Sequence, residues 1–218
     1  MKIAIDGPAG AGKSTVAKAL AAQLGLYYLD TGAMYRSVAY ALLKNGVNLD
    51  DTQKIAAEVP FVNITVEYEG GVQKMLLEGE DISAKIRTQE VAMGASKVAV
   101  VKEVRKKLVE MQRRTADKYG IVMDGRDIGT AVLPNADYKF YITASSSERA
   151  KRRYEETADK SATSLGQIEQ EIIKRDYNDM HREISPLCKA EDAKEIDTTH
   201  MSVKEVVDAA LAFINKNE

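Results

Sequence analysis

Apolar residues along the chain follow two rhythms that take turns. Short continuous apolar runs read as buried strands. They are Ile3-Ala4-Ile5 within residues 2–6, Tyr27-Tyr28-Leu29, Ile121-Val122-Met123, residues 138–143 and residues 193–196. Between them apolar residues return at intervals of three and four, the spacing of one helix face. Val16, Ala19, Leu20 and Leu24 mark a first helix with Gly25 as its stop, and Met34, Val38, Ala41 and Leu42 a second that Gly46 closes. A short helix over 51–59 ends at Pro60, and further helical stretches cover 83–99, 101–117 and 148–156. Ser164 with Gln167 forms a capping box for a helix running to about 183. Ser202 with Glu205 caps a last helix bearing Val203, Val206, Val207, Ala210, Leu211 and Ile214. Repeated strand–helix units predict an α/β fold, a parallel sheet covered by helices on both faces.

One stretch breaks the alternation. Val62, Ile64, Val66 and Tyr68 alternate with Asn63, Thr65 and Glu67, a period of two. Gly70-Gly71 then reads as a hairpin turn, and residues 72–77 return. This predicts an antiparallel insert over residues 61–84. Residues 157–163 are small and polar, which predicts a mobile loop.

The first turn carries the chemistry. Residues 7–14 read Gly7-Pro8-Ala9-Gly10-Ala11-Gly12-Lys13-Ser14, matching G-x-x-x-x-G-K-[ST] between a predicted strand and a predicted helix. Glycines let backbone N–H groups turn inward onto phosphate oxygens, and the helix N-terminus adds partial positive charge. Lys13 can reach the outer phosphates of a nucleoside triphosphate, and Ser14 can hold Mg²⁺. In open α/β sheets ligands bind beyond the carboxyl ends of strands. Asp124, after the strand over 121–124, is thus placed to orient Mg²⁺ through water, with Arg126 and Asp127 leaning into the same cleft.

Charges also stand where core residues are expected. Ile168, Ile172, Arg175, Asp179 and Arg182 form one stripe spaced 4, 3, 4, 3, apolar at one end and charged at the other. Arg105 fills an apolar place beside Val101, Val104 and Leu108. A buried guanidinium is costly without an anion or hydrogen-bond partner, so these positions point to a polar cleft. A salt-bridged surface, Arg175 with Asp179 at i, i+4, accounts for the stripe equally well on pattern alone.

Composition narrows the classes. With 218 residues, one domain with a small insert is expected, and the net charge of −2 argues against a nucleic-acid polymer as partner. Cys188 is the sole cysteine, excluding an internal disulfide, and His181 and His200 are too few for a metal cluster. No 18-residue apolar run is present. The chain opens directly into strand and phosphate loop, so a cytoplasmic location and no membrane partner are expected. A guanine-binding N-K-x-D is missing: the nearest match, Asn215-Lys216-Asn217-Glu218, ends in Glu.

The phosphate loop, the run Asp30-Thr31-Gly32-Ala33-Met34-Tyr35-Arg36 and the run Ile86-Arg87-Thr88-Gln89-Glu90-Val91 together resemble bacterial cytidylate kinases. So do Asp124-Gly125-Arg126-Asp127-Ile128-Gly129-Thr130 and Arg175-Asp176 followed by Asp179 and Arg182. The resemblance implies the P-loop nucleoside monophosphate kinase fold, with a five-stranded parallel sheet, a small antiparallel β insert and a short lid. Core segments would be 1–30, 117–148 and 184–218, the CMP-binding region 31–116 with its insert at 61–84, and the lid 149–166. It implies transfer of the γ-phosphoryl group of ATP to CMP or dCMP with Mg²⁺; no dimer surface is evident in the sequence, so a monomer is the default expectation. By resemblance, residues 7–14 with Thr15, Arg149 and Arg152 bind ATP, and Lys13, Arg126 and Arg153 act on the transferred group. Arg36 and Arg126 grip the CMP phosphate; Thr31, Ser96, Arg105 and Asp127 lie at the base. Arg175 and Asp179 contact the sugar with Arg182 close by, and Ser14 and Asp124 serve the metal. The alternative is another P-loop small-molecule kinase, such as one for shikimate. That leaves Arg105, Asp127 and the insert unexplained together.

Overall fold

The computed structural model describes residues 1–156 and 164–217. The expected mobile loop at 157–163, and with it the middle of the expected lid, lies outside the described residues. The chain divides into two units, Met1–Leu26 with Ile121–Glu218, and Tyr27–Gly120.

In the first unit the apolar runs form parallel strands β1 (Lys2–Asp6), β6 (Ile121–Asp124), β7 (Tyr138–Thr143) and β8 (Lys194–Asp197). With β2 (Tyr27–Asp30) they make a five-stranded sheet in the order β2-β6-β1-β7-β8. Ile3, Ala4 and Ile5 are fully buried, as are Ile121, Val122 and Met123. The central strands β1 and β6 are covered on both faces and need no polar side, while the edge strand β8 buries only Ile196. Ile5 pairs with Asp124 on one side and with Phe140 on the other, and the Gly125 N–H reaches the Ile5 carbonyl at 2.9 Å. The chain turns after Asp6 and after Asp124 therefore emerge at one edge of the sheet.

Helix α1 (Lys13–Leu24) starts from Gly12 at φ 83° and stops at Gly25 at φ 64°. Both conformations are left-handed and favour glycine. α6 (Ser146–Glu156) and α7 (Leu165–His181) pack through Ala150, Ile168, Ile172 and Tyr154. The Ser164–Gln167 capping box is formed. α7 ends at His181, two residues short of expectation, because Arg182 turns extended. In α8 (Val203–Asn217), the Ser202 N–H donates to Glu205 and the Glu205 N–H to Ser202 Oγ. Phe213 meets Phe140 edge-on at 5.8 Å.

The second unit begins with β2 and α2 (Thr31–Lys44), whose N-cap Asp30 accepts from the Ala33 N–H. α3 (Thr52–Glu58) leads to the insert, β3 (Ile64–Glu69) and β4 (Val72–Leu77). Gly70 (φ 57°) and Gly71 (φ 80°) make the turn, both left-handed, as a two-residue hairpin of primed type requires. A third strand, β5 (Glu80–Asp81), completes an antiparallel sheet β3-β4-β5. The helix expected over 83–99 is broken. A single turn at Lys85–Arg87 gives way to an extended Thr88, whose hydroxyl accepts from the Val91 N–H and caps α4 (Gln89–Val98). A hydroxyl that offers the backbone an alternative partner ends one helix and starts the next. α4 crosses α2 closely at Gly94, where a Cβ would lie 3.2 Å from the Ala39 Cβ. α5 (Lys102–Lys118) buries Val104, Arg105, Leu108 and Gln112 on one face. Among the described residues no helix is long and apolar enough to cross a membrane.

Candidate active site

The phosphate loop is shaped by close approach. At Gly7, φ is 145° and a Cβ would stand 1.9 Å from the Ile142 carbonyl oxygen, so only glycine fits. Gly10 is also left-handed, at φ 76°. Lys13 folds back over the loop and donates to the Pro8 carbonyl at 2.6 Å. Burial, then the nearby Arg126 cation, holds its pKa well below the usual lysine value; Asp124 and Asp6 oppose this, and Arg175 adds to it. Three cationic side chains thus crowd one loop, an arrangement that an anionic ligand relieves.

Ser14 Oγ donates to Asp124 Oδ2 at 2.7 Å. Two hard oxygen donors side by side at the first turn of α1 fit Mg²⁺, which keeps most of its shell as water and phosphate oxygens. Among the described residues no group of three His, Cys, Asp or Glu side chains forms a fuller metal cage.

Two salt bridges bring the stripe on α7 to the turn after β6. Arg126 Nε donates to Asp179 Oδ2 at 2.8 Å. Arg182 Nη2 donates to Asp127 Oδ1 at 3.2 Å, with both side chains buried. The charged end of the stripe therefore meets the turn after β6 through Asp179 and Arg182. Asp6, which sequence reading left without a role, holds this turn from below. Its carboxylate accepts from the Ile128 N–H at 2.8 Å and the Gly129 N–H at 2.7 Å. Those amides start a wide turn over Ile128–Val132, where Leu133 N–H reaches back five residues to the Ile128 carbonyl. Burial raises the Asp6 pKa to about 6 against the lowering effect of these two bonds.

The arginines of α6 differ from one another. Arg149 is buried, and its guanidinium donates to the Ala144 carbonyl (2.8 Å), the Ala9 carbonyl (3.0 Å) and Asp176 Oδ2 (2.5 Å). The Ala9 N–H in turn points to Asp176 Oδ1 at 3.4 Å. Arg149 thus meets the phosphate loop through its main chain. Arg152 donates to Glu148 Oε1 and to both the hydroxyl and the carbonyl of Thr198. Thr198 touches the loop through the Ala11 carbonyl at 3.4 Å. Arg153 is half-buried on the same helix. Asp176 carried a visible signal, a second charge beside Arg175, but it lies off the stripe.

The remaining residues singled out by the sequence belong to the second unit. Thr31 is buried at the start of α2. Arg36 Nη2 donates to Asp30 Oδ2 at 2.7 Å, while its buried Nε has no hydrogen-bond partner. Ser96 is half-buried on α4. Arg105 is buried on α5 with its guanidinium 5.9 Å over the Tyr35 ring.

A strand, phosphate loop and helix with a buried lysine, a bonded Ser14–Asp124 pair and nearby arginines define a P-loop phosphotransferase. Solved structures agree on the fold. An uncharacterized protein from Eubacterium ventriosum aligns over 99% of this chain and 98% of its own, with TM-score 0.56 at 16% identity. A shikimate kinase from Bacteroides thetaiotaomicron aligns over 99% and 98%, with TM-score 0.51 at 10% identity. The family model for cytidylate kinase matches residues 3–216. The cytidylate kinase of Caldicellulosiruptor bescii is 49% identical over 99% of this chain and 96% of its own length. That of Bacillus subtilis is 46% identical over 99% and 97%. The chain belongs to the cytidylate kinase family.

Proposed function

We propose that the protein transfers the γ-phosphoryl group of ATP to CMP or dCMP, giving ADP and CDP or dCDP. An oxygen of the CMP phosphate attacks the γ-phosphorus, and the bond from that phosphorus to the β–γ bridging oxygen breaks, leaving ADP. The attacking phosphate has a second pKa of about 6 and is mostly ionised at neutral pH, so no general base is needed. Catalysis is then positioning and charge neutralisation. Lys13 and the loop amides would hold the outer phosphates with Arg152, and Arg126 and Arg153 would neutralise the transferred group. Ser14 and Asp124 would hold Mg²⁺, which supplies charge neutralisation across the phosphates. Arg149 contributes by fixing the loop.

On the acceptor side, Arg36 and Arg126 would take the CMP phosphate, and the buried, unpartnered Nε of Arg36 supports an anion there. Asp127 would accept from cytosine N4 and Arg105 would donate to N3, with Ser96 and Thr31 beside the base. Uracil inverts both positions, which a buried polar site rejects strongly. Arg175 and Asp179 would contact the sugar, with Arg182 close by. A cytoplasmic monomer is part of this reading, and the net charge of −2 supports the lack of a nucleic-acid polymer partner.

The observation that carries the reading is the built phosphate loop itself, with buried Lys13 folded over it onto the Pro8 carbonyl and Ser14 bonded to Asp124 at 2.7 Å. The test is ADP formation with CMP, dCMP, UMP, AMP and shikimate offered separately. CMP and dCMP should exceed the others in kcat/KM by about tenfold or more. Shikimate turnover equal to that with CMP would replace this function with the small-molecule kinase reading.

A further inference from the structure

The insert reaches β2 through one side chain in a way a strand would. Gln73, in β4, uses both ends of its amide on the main chain of Asp30. Its Oε1 accepts from the Asp30 N–H at 2.7 Å, and its Nε2 donates to the Asp30 carbonyl at 3.3 Å. The same Nε2 lies 3.3 Å from the Met75 sulfur. Directly across the hairpin Gln73 faces Tyr68, whose hydroxyl donates to the Tyr28 carbonyl at 3.2 Å. The Tyr68 ring is held by Tyr27 at 4.7 Å and Tyr119 at 5.5 Å between centroids. The insert is thus fastened to β2 at two neighbouring residues, Tyr28 and Asp30.

Asp30 is also the anchor of Arg36. Its carboxylate accepts from the Ala33 N–H at 2.9 Å through one oxygen and from Arg36 Nη2 at 2.7 Å through the other. The space is tight: a Cβ at Gly32 would stand 3.1 Å from Asp30 Oδ1 and 3.2 Å from Arg36 Nη1. Asp30 is thus held through its N–H and carbonyl by Gln73 and through its carboxylate by α2 and Arg36. We propose that Gln73 is a positioning residue for the acceptor phosphate, aiming Arg36 through Asp30, and that this is what the insert contributes to catalysis. The inference rests on the reading that Arg36 binds the CMP phosphate. Only a side chain with a donor and an acceptor on one planar group can satisfy both main-chain atoms of Asp30. Glutamate keeps the acceptor and loses the donor; methionine keeps the shape and loses both.

The experiment is steady-state kinetics on the full chain, varying CMP at saturating ATP and then ATP at saturating CMP. The variants are Gln73→Met, Arg36→Met and the two combined, with folding checked by thermal unfolding. Gln73→Met should raise KM for CMP about tenfold, the equivalent of roughly one lost hydrogen bond, and leave KM for ATP within about twofold. Gln73→Glu should fall between it and the parent, and carries the same comparison if Gln73→Met does not fold. The double variant should be no worse than Arg36→Met alone, because both changes disable the same contact. If Arg36→Met leaves KM for CMP unchanged, the phosphate role of Arg36 is wrong and this inference falls with it. If Arg36→Met raises KM and the Gln73 variants do not, only the inference falls. Equal rises in both KM values, or additive effects in the double variant, would make Gln73 a general stabiliser of the unit and overturn the positioning role.

Discussion

Removing Asp176 should weaken the fold and the grip on ATP by separable routes. The carboxylate forms a buried pair with Arg149, the two side chains being 11% and 7% exposed. Taking one partner from a buried pair costs about 3–5 kcal/mol because the other charge is left in a poor solvent. Here Arg149 would keep its bonds to the Ala144 and Ala9 carbonyls. The loss in Asp176→Ala should therefore sit near the lower figure, about 3 kcal/mol. For a chain of this size that is a fall in Tm of roughly 6–12 °C. The second route is the peptide of Ala9, whose N–H faces Asp176 at 3.4 Å and whose carbonyl accepts from Arg149 at 3.0 Å. Loosening it should raise KM for ATP about tenfold, on the order of one hydrogen bond, with a smaller change for CMP. The double variant Arg149→Met with Asp176→Leu separates the two. Apolar replacement of a buried pair is often neutral or stabilising, so Tm should largely return. The Ala9 peptide would still lack both partners, so KM for ATP should stay high. Differential scanning calorimetry and ADP-release kinetics on the same preparations decide the matter. A Tm unchanged in Asp176→Ala refutes the energetic argument. A lowered Tm with normal KM for ATP, or a double variant that recovers both, refutes the role of the pair in shaping the loop.

Three further outcomes follow from the site. Lys13→Ala should lower turnover by at least ~10²-fold with unchanged circular dichroism, since it removes a charge aimed at the transferred phosphate; more than about a tenth of parental turnover would take Lys13 out of the mechanism. Asp127→Asn should lower the ratio of kcat/KM for CMP over UMP by roughly tenfold, because an amide can present a donor to uracil O4 where a carboxylate cannot; equal losses with both substrates would make the Asp127–Arg182 pair structural only. Asp6 carries a folded pKa of about 6 against an ordinary 3.8, so the native state binds its proton more tightly than the unfolded chain. Its contribution to stability is full below pH 3.8 and is lost as pH rises through 6. Denaturant unfolding should show the stability difference between the parent and Asp6→Asn declining between about pH 4 and 7, and a difference flat in pH would contradict the raised pKa.

Periodicity made the sheet and its helices legible because burial on one face imposes a repeat that no single residue can hide. It also exposed Arg105, Arg175, Asp179 and Arg182, since a charge in an apolar register is an anomaly in the pattern itself. Partners were another matter. Arg149 and Asp176 are joined only because Ala150, Ile168 and Ile172 pack α6 on α7, and nothing local in either helix announces that pairing. Asp6 stood directly before the phosphate loop, yet its role depends on amides 122 and 123 positions away. β5 is two residues long, too short to carry a period. The break at Thr88 was overwritten by the apolar spacing around it, although the hydroxyl that caused it was in plain view.

The charged end of α7 was legible for a mechanical reason as well. Asp176 reaches the phosphate loop through Arg149, while Asp179 and then Arg182 reach the turn after β6. Asp176 and Asp179 lie within one turn of α7, whose other end is fixed in the core by Ile168 and Ile172, and Arg182 follows directly after the helix. A rigid rod held at one end sets the spacing between everything it touches at the other. The Gly7–Ser14 loop and the turn that carries Arg126 and Asp127 are therefore registered by the same element. Asp176 lies off the stripe, but Asp179 and Arg182, which meet the turn after β6, keep the three-residue step of the stripe that the sequence displays. A charge placed on α7 for solvation alone would have no reason to keep to it.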